Sequence, residues 1–542
     1  MESPGSRNSS KIICSMKFRC SPTIRHAAML AIACAGAWLL LSGWLLAGTK
    51  ASQSYDEPYR PQFHFTPARN WMNDPNGPIF YKGEYHLFYQ YNPFGNEWGH
   101  MSWGHAVSRD LVRWQHLPVA IPEENGIMIF SGSTVVDWHN SSGFCRGSRA
   151  DDSSCLVAIY TGYTGALQNQ NLAYSNDNGR TWTKYSGNPV IDLHLQDFRD
   201  PKVFWHEGTH KWVMVTVLSS QHKVRFFGST DLKHWTALSD FGPAAATGGV
   251  WECPDLFELP VEGEPGQARW VLSVNLNPGG VAGGSGDQYF IGKFDGSTFT
   301  SENSKDQVLW SDYGKDFYAS TSFSDIPKSD GRRIWLGWLV NWDYAGKVPT
   351  DPWRGVQSIP RELKLKRFAD GIRLMQQPVA ELRTLREQHA SLEGQNIVAA
   401  NGLLKEKGVR GETLEIVAEI DPGGAAEVGL KVRKGPDEET VTGFDAKESK
   451  FFVDRTRSGN VGFDEKFPGR HAGPLRLAVG NSVKLQIFVD RSSVEVFVND
   501  GETVISDGIF PTRASGGIEF YSQGGQARIL KLDVWNLASA WK

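Results

Sequence analysis

The chain has 542 residues, which is too long for one ordinary hydrophobic core and predicts two globular domains plus an N-terminal appendage. Its formal net charge of -4, with lysine and arginine scattered along the sequence, excludes a basic surface for nucleic acid. The 20 tryptophans and 57 glycines favour turn-rich β-structure, and indole faces are suited to stacking on sugars.

The first part of the chain, residues 1–55, predicts export. Basic residues from Lys11 to Arg25 precede an uncharged apolar run from Ala27 to Gly48. That order is typical of a secretory signal, although the run is also close to the length of a membrane span. We expect a cleaved signal peptide and a secreted protein, with retention of the segment as a membrane anchor as the alternative.

Residues 56–368 predict an all-β domain. Short runs of alternating or apolar residues, such as Leu156–Tyr163, are separated by glycine, asparagine, aspartate and proline. A Ser-x-Asp turn followed by tryptophan recurs at Ser108–Trp114, Ser175–Trp182 and Ser229–Trp235. Its spacing matches the size of a four-stranded propeller blade, and a domain of this length would hold five blades.

A change of pattern follows this domain. The segment Gln377–Leu392 carries apolar residues at helical spacing, so we expect a linker at residues 369–394 that contains a short helix. Residues 395–542 return to strand-like runs, with the turn sequence Asn-Asp-Gly at 499–501 between two of them. This C-terminal part predicts a β-sandwich.

Three cysteines lie in the exported part of the chain. Cys145 and Cys155 flank a polar loop and can pair in an oxidising compartment, which leaves Cys253 over. The sequence has no cysteine and histidine spacing typical of zinc, no phosphate-binding glycine loop and no dinucleotide fingerprint. It therefore predicts neither a metal nor a cofactor.

Three acidic residues stand in unusual local settings. Asp74 lies in Trp-Met-Asn-Asp-Pro-Asn-Gly, Asp200 in Asp-Phe-Arg-Asp-Pro, and Glu252 in Trp-Glu-Cys-Pro-Asp. Taken alone, each is well explained by a turn or a strand-start cap. Taken together they indicate a shared site, because the opening strands of propeller blades line one central channel. Cleavage of a glycosidic bond needs a nucleophilic carboxylate and a protonated carboxyl, and Asp74 and Glu252 fit these two roles.

These three motifs, in this order and at this spacing, resemble the signatures of glycoside hydrolase family 32, which includes invertases, levanases and exo-inulinases. The resemblance extends over residues 60–542. It implies a five-bladed β-propeller with a C-terminal β-sandwich, retention of configuration through a covalent fructosyl-enzyme, and neither a metal nor a cofactor. It also implies that Asp74 is the nucleophile, Glu252 the acid/base, and Asp200 the carboxylate that binds fructose hydroxyls and favours the transition state.

The same resemblance implies a fructose pocket. Residues at matching positions are Asn73, Gln90, Trp98, Phe130, Ser131 and Arg199. Trp71 and Trp342 are candidate aromatic walls, with packing in the propeller core as the alternative for both. Segment 489–499 resembles the sandwich signature of the family, and we expect its role to be structural.

The expected substrate is a fructan, either levan or inulin, from which terminal β-linked fructose is released, together with sucrose. The local sequences around Trp98 and at residues 170–182 are closer to levanases and exo-inulinases than to plant invertases. A sucrose-specific invertase is the alternative within the family, and a catalytically inactive sugar-binding propeller is the alternative from another class. The presence of all three carboxylates argues against an inactive protein.

Overall fold

The computed structural model describes residues 55–146, 154–477 and 481–541. The predicted export segment, apart from Tyr55, lies outside these ranges. Within them, no helix is long and apolar enough to cross a lipid bilayer. A disulfide joins Cys145 to Cys155, whose Cα atoms are 5.1 Å apart, and Cys253 is a free thiol.

Five antiparallel sheets follow one another between residues 70 and 378. The strands of the first sheet are β1 (Asn70–Tyr81), β2 (Glu84–Tyr91), β3 (Ser102–Ser108) and β4 (Trp114–Ile121). Those of the second are β5 (Met128–Asp137), β6 (Cys155–Tyr163), β7 (Gln168–Ser175), β8 (Thr183–Lys184) and β9 (Ile191–Leu195). Those of the third are β10 (Phe198–His206), β11 (Lys211–Leu218), β12 (Lys223–Ser229) and β13 (Thr236–Phe241).

The fourth and fifth sheets continue this order. The strands of the fourth are β14 (Val250–Pro260), β15 (Ala268–Asn277), β16 (Gly286–Phe294), β17 (Phe299–Ser301) and β18 (Leu309–Trp310). The strands of the fifth are β19 (Tyr318–Ser322), β20 (Arg333–Trp338), β22 (Arg361–Phe368) and β23 (Gly371–Pro378). The short strand β21 (Trp353–Arg354) lies between β20 and β22 in the sequence. Strand β21 is the exception, because it joins the first sheet and not the fifth.

The first strand of every sheet faces a common centre. Strands β1, β5, β10, β14 and β19 each contact the first strands of the two neighbouring sheets, and β19 contacts β1. Backbone hydrogen bonds also close this ring, because β21 pairs in parallel with β1 at Asn70 and Trp71. The predicted five-bladed β-propeller is therefore confirmed, and its axis is lined by these five inner strands.

The repeated turn-and-tryptophan unit joins the third strand to the fourth strand in the first three blades. In each copy, the aspartate accepts backbone N–H bonds within the turn. Each indole N–H donates to the carbonyl three residues earlier, at 2.8 to 3.0 Å, in the pairs Trp114–Leu111, Trp182–Gly179 and Trp235–Leu232. The repeat thus fixes the way in which the outer strand returns along its blade.

Each of the five inner strands has a break in its backbone pairing, and the breaks lie near the beginning of each strand. Pairing with the second strand of the blade is interrupted at residues 73–74, 130–131, 200–201, 253–254 and 319–320. Such β-bulges bend a strand and redirect side chains that would otherwise alternate between its two faces. A proline, which donates no ladder hydrogen bond, lies in or directly after three of the bulges, at Pro75, Pro201 and Pro254.

Two further antiparallel sheets are built from residues 386–537. The first contains β24 (Arg386–Asn396), β25 (Leu414–Asp421), β30 (Val483–Val489), β31 (Ser493–Val498), β32 (Thr503–Gly508) and β34 (Arg528–Leu537). The second contains β26 (Glu427–Lys434), β27 (Glu439–Asp445), β28 (Lys450–Arg457), β29 (Arg470–Pro474) and β33 (Gly517–Gln523). Helix α1 (Ile397–Glu406) follows β24, and both sheets bury apolar side chains in one shared core. The predicted β-sandwich is therefore confirmed.

The short helix expected in the linker is a 3-10 helix, and it covers only part of the segment Gln377–Leu392 whose apolar spacing suggested it. A 3-10 helix forms only at Ala380–Leu385, while β23 already occupies residues 371–378 and β24 begins at Arg386. Leu382 and Leu385 are buried within this short helix, which accounts for part of the helical spacing of apolar residues. Pairing of β24 with β34 then extends the following residues as a strand, so tertiary context overrides the local pattern.

Buried charges join the N-terminal segment, the fifth blade and the sandwich. The ring nitrogens of His64 lie 2.8 Å from Asp490 and 2.9 Å from Glu495, and all three side chains are fully buried. Glu495 also accepts a hydrogen bond from Arg361 of β22. Although burial alone would lower it, the two carboxylates raise the pKa of His64 to about 9. The sandwich segment 489–499 thus supplies contacts that hold the domains together.

Candidate active site

A cavity of about 520 Å³ lies at the end of the propeller where the inner strands begin. Most of the site residues that the sequence predicts and that line this cavity come from the bulged parts of β1, β5, β10 and β14. The predicted residues that line it are Asn73, Asp74, Gln90, Trp98, Phe130, Ser131, Arg199, Asp200, Glu252 and Trp342. Ring closure therefore brings together side chains from separate blades around one space.

Asp74 is held by hydrogen bonds to both carboxylate oxygens. The side-chain amide of Asn73 donates to Oδ1 at 3.0 Å, and the Ser131 hydroxyl, from the neighbouring blade, donates to Oδ2 at 2.7 Å. Burial raises the pKa of Asp74, whereas these two hydrogen bonds favour the charged form and oppose that rise. The carboxylate is therefore fixed in orientation at the cavity wall.

Asp200 lies in the bulge of β10 with a φ of 62°, a left-handed conformation that is uncommon for residues other than glycine. Its N–H donates to the Thr161 hydroxyl at 2.9 Å, and its Oδ2 accepts the backbone N–H of Cys253 at 2.9 Å. Burial raises the pKa of Asp200 to about 7, while the Arg199 guanidinium lowers it and the Glu252 carboxylate raises it further. The bulge thus points a weakly acidic carboxyl into the site.

Glu252 faces one cation and one phenol. Arg199 donates from Nε to Oε1 at 3.2 Å, and the Tyr318 hydroxyl donates to Oε2. Arg199 is itself held from the other side, because its Nη1 donates to the side chains of Gln168 and Asp197, both at 3.2 Å. The Arg199 guanidinium therefore links Glu252 of the fourth blade to Gln168 of the second blade.

The free thiol of Cys253 lies between two of the carboxyl groups. Its Sγ is 3.6 Å from Asp74 Oδ2 and 3.6 Å from Asp200 Oδ2. Burial raises the pKa of this thiol well above its usual range, so the group is a neutral S–H at ordinary pH. Because a thiol has one proton, it can donate a hydrogen bond to only one of the two carboxyl groups at a time.

Aromatic side chains form the outer part of the cavity. Trp98 is 46% exposed and meets Phe130 edge to face, and Phe130 stacks on Tyr163 with their ring centroids 4.8 Å apart. Trp342, one of the two candidate aromatic walls, also lines the cavity.

The structure places Trp71 differently from the predicted wall. Its side chain is 1% exposed, belongs to the apolar core and does not line the cavity. The ring stacks against Trp342 at a centroid distance of 5.9 Å, and its N–H donates to the Asn73 side chain at 2.7 Å. Trp71 therefore supports Asn73 and Trp342 from behind, because β1 turns its side chain away from the axis before the bulge.

Sequence reasoning does not identify several groups that line or contact the site, namely Tyr163, Gln168, Gln196, Asp197, Cys253 and Tyr318. Asp197 could have been predicted as a site residue, because it lies in the same short sequence motif as Asp200. Tyr318 has no such signal, because it lies in Phe-Tyr-Ala-Ser and reaches Glu252 only when β19 packs beside β14. In the described parts of the chain, no group of three or more side chains is arranged to hold a metal ion.

We expect Asp200→Asn to raise the melting temperature of the protein above pH 7. The pKa of Asp200 is about 7 in the folded protein and that of an ordinary aspartate is 3.8, so the folded state binds this proton more tightly than the unfolded state. The stability that this difference contributes is present below the unfolded pKa and is lost as the pH rises through 7. Calorimetry at pH 8 and pH 5 should therefore show a gain for the variant that is larger at pH 8.

Asp110→Asn is the matched control, with the opposite expected sign. Backbone N–H groups of Val112 and Arg113 bond to Asp110 and, despite partial burial, its pKa is lowered, so its charge stabilises the fold at neutral pH. A melting temperature for Asp200→Asn that equals or falls below that of the wild type at pH 8 would contradict the prediction.

Two family models match the chain after its first 63 residues. The glycosyl hydrolases family 32 N-terminal domain matches residues 64–378, and the glycosyl hydrolases family 32 C terminal domain matches residues 381–536. The division between them falls between β23 and the 3-10 helix.

Known proteins are similar over nearly the same length. A levanase of Bacillus subtilis (strain 168) is 53% identical over 509 residues, covering 93% of this chain and 74% of the levanase. An extracellular exo-inulinase of Aspergillus niger is 41% identical over 532 residues, covering 92% and 98%. The crystal structure of exo-inulinase from Aspergillus awamori has a TM-score of 0.82 at 38% identity, covering 90% of this chain and 100% of that chain. A β-fructofuranosidase from Schwanniomyces occidentalis, complexed with fructosyl-erythritol, has a TM-score of 0.80 at 32% identity, covering 90% and 99%. Motifs, fold, cavity and both domain models agree, and the chain therefore belongs to glycoside hydrolase family 32.

Proposed function

We propose that this glycosidase releases terminal β-linked fructose from levan or inulin, and from sucrose, with Asp74 as nucleophile and Glu252 as acid/base. The observation that carries the proposal is the convergence of Asp74, Asp200 and Glu252 from three blades on one cavity. The similar proteins are named levanase, exo-inulinase and β-fructofuranosidase, which supports a fructoside as the substrate.

The first step uses the different surroundings of Asp74 and Glu252. An oxygen of Asp74, oriented by Asn73 and Ser131, attacks carbon 2 of the terminal fructose. Glu252 passes its proton to the glycosidic oxygen, the bond from that oxygen to carbon 2 breaks, and the remainder of the substrate leaves as an alcohol. The fructosyl group is then an ester of Asp74.

The second step reverses the role of Glu252. Its carboxylate takes a proton from water, the water oxygen attacks carbon 2, and the ester bond to Asp74 breaks. Arg199 and Tyr318 hold the two oxygens of Glu252 in place through both steps. Two displacements at carbon 2 restore its original configuration, so the reaction retains stereochemistry.

Asp200 is proposed to bind hydroxyl groups of the fructosyl ring. Its Oδ2 is already oriented by the Cys253 N–H, and its position next to Arg199 places it close to the reacting groups. Hydrogen bonds from sugar hydroxyls to a carboxylate strengthen as positive charge develops on the ring, so this contact favours the transition state over the ground state. Trp98, Phe130 and Trp342 supply apolar faces for the sugar.

We also propose that the protein is exported. Residues 1–55 have the order of a secretory signal, and the similar protein from Aspergillus niger is named an extracellular exo-inulinase. An exported enzyme meets polymeric fructans outside the cell, which is consistent with hydrolysis of chains as well as of sucrose.

Stereochemistry tests the proposal most directly. We expect β-fructofuranose to be the first product seen by NMR when sucrose, levan or inulin is added, before mutarotation mixes the anomers, because two displacements retain configuration. Asp74→Asn protein is the control for fructose released by any contaminating enzyme. The relative rates on the three substrates distinguish a fructan hydrolase from a sucrose-specific invertase.

Three results would count against the proposal. Early release of the α-anomer would mean direct attack by water and would make Asp74 a base. Equal fructose release by the Asp74→Asn protein would remove Asp74 from the chemistry. Absence of fructose release from all three substrates would favour a sugar-binding protein without hydrolase activity.

A further inference from the structure

A second, larger cavity lies at the other end of the inner strands. It has a volume of about 840 Å³ and is lined by residues 135–136 of β5, 202–206 of β10 and 256–258 of β14, with segment 324–328 and Arg333. We call it the lower cavity. Residue 206 is six positions beyond Asp200 on one strand, which corresponds to about 20 Å at the usual rise of a β-strand. The lining of the lower cavity thus runs from Lys202, two positions beyond Asp200, to this far end of the strand.

The two cavities are separated by a buried polar layer. Lys202, which is 5% exposed, donates from Nζ to the Thr321 hydroxyl at 3.2 Å and to the carbonyl of Ser322. The same Nζ lies 3.4 Å from Asp255 Oδ2. These groups lie across the axis between the cavities, where only a small space of about 20 Å³ remains beside Asp200, Lys202 and Cys253. The lower cavity is therefore a separate cavity from the active site.

Tryptophan rings provide the apolar surface of the lower cavity. Trp138, Trp205 and Trp270 line it, and Trp138 is 52% exposed. The Trp138 N–H donates to Asp325 Oδ1 at 2.9 Å, and the Trp205 N–H to Glu207 Oε2 at 3.3 Å. These bonds fix the indole planes in advance, so a ligand that stacks on them loses little binding energy in ordering the site.

The charges of the lower cavity balance. Its acidic residues are Glu207, Glu258 and Asp325, and its basic residues are Lys202, Lys328 and Arg333. A phosphate or another strongly charged ligand would meet as many like charges as opposite ones. Fixed aromatic faces beside carboxylates and a guanidinium suit a neutral molecule that has both C–H faces and many hydroxyl groups, which describes a carbohydrate.

We propose that the lower cavity is a second, non-catalytic binding site for fructan chains. The inference rests on the proposed function, because it takes the polymeric substrate as the ligand. A chain held here keeps the enzyme on a fructan particle while the active site removes terminal residues. Binding at two sites on one particle raises the effective concentration of chain ends at the active site. A small substrate such as sucrose gains nothing from this attachment.

Equilibrium binding of levan and inulin to the Glu252→Gln protein, in buffer saturated with fructose, isolates the lower cavity. The substitution slows hydrolysis strongly, and the fructose occupies the active site. We expect polymer binding to persist and to weaken about tenfold when Trp138→Ala is added, as for loss of one aromatic anchor. Trp138→Phe is the matched control, because it keeps an aromatic face but loses the N–H bond to Asp325, and it should retain most of the affinity.

Kinetics of otherwise unaltered enzyme provide the second measurement. Trp138→Ala should lower kcat/KM for levan or inulin and leave kcat/KM for sucrose unchanged. The proposal would be overturned if Trp138→Ala left the affinity for levan and inulin unaltered, or if it lowered kcat/KM equally for sucrose and for the polymers. It would also be overturned if the protein bound dextran as tightly as levan or inulin. Failure of the proposed function has a different signature, since the wild-type enzyme would then release no fructose from sucrose while the binding measurement still reports on the lower cavity.

Discussion

Replacement of Asp74 by asparagine should lower kcat on sucrose and on fructans by about 10³-fold or more, because an amide cannot form the covalent intermediate. The substitution removes charge and little volume, and Asn73 and Ser131 remain to hold the side chain. Steady-state kinetics and a melting curve together separate lost chemistry from lost folding. Asp110→Asn makes the same chemical change in an outer turn and should leave kcat unaltered.

Replacement of Glu252 by glutamine should lower kcat on sucrose by about 10²- to 10⁴-fold, the usual contribution of an acid/base group. The loss in the first step should be much smaller for fructosyl fluoride, whose leaving group needs no proton. The fructosyl ester on Asp74 should then accumulate and be detectable by mass spectrometry of the protein. Full activity of either variant, or an ester found on another residue, would refute the assignment of the pair.

Removal of the His64 imidazole should destabilise the protein by about 3 to 5 kcal/mol, because His64→Ala leaves Asp490 and Glu495 buried without their shared partner. The pKa of His64 is about 9 in the folded protein and 6.5 for an ordinary histidine. The stability from this contact is therefore fully present below pH 6.5 and is lost as the pH rises through 9.

Melting temperatures measured between pH 6 and pH 10 test both parts of that prediction. The wild type should lose stability over this range, and His64→Ala should start lower and lose less. His389→Ala removes an exposed histidine that also pairs with an aspartate, Asp533 at 2.9 Å, and should cost less than about 1 kcal/mol. Parallel pH curves for the wild type and His64→Ala would contradict the charged state of this histidine.

Much of the fold follows from sequence because its signals are local and repeated. The Ser-x-Asp turn with tryptophan marks the same corner in three blades, and its hydrogen bonds are made within each turn. The three acidic motifs are readable for a related reason, since proline follows closely after Asp74, Asp200 and Glu252 and marks a break in regular strand pairing.

Other features depend on contacts between distant segments and leave no local mark. Tyr318 reaches Glu252 only through the packing of neighbouring blades. The Trp71 side chain lies in the core, whereas the neighbours Asn73 and Asp74 both line the cavity, because the bulge at residues 73–74 interrupts the alternation of side chains. The spacing of residues in the sequence does not show at which residue a bulge lies. It also does not show that β24 pairs with the C-terminal strand β34 and so forms a strand where a helix was expected.

Closure of the propeller by β21 determines when during synthesis the active site can exist. Strand β1, which carries Asp74, obtains its parallel neighbour only after residues 353–354 have been made. Contacts between such distant segments form late, because a long loop must first be closed. A nascent chain that contains the first three blades therefore has every part of the Asp200 motif and no working site. We therefore expect hydrolysis to begin only once the fifth blade has closed the propeller onto β1, and not when any single catalytic residue has been made.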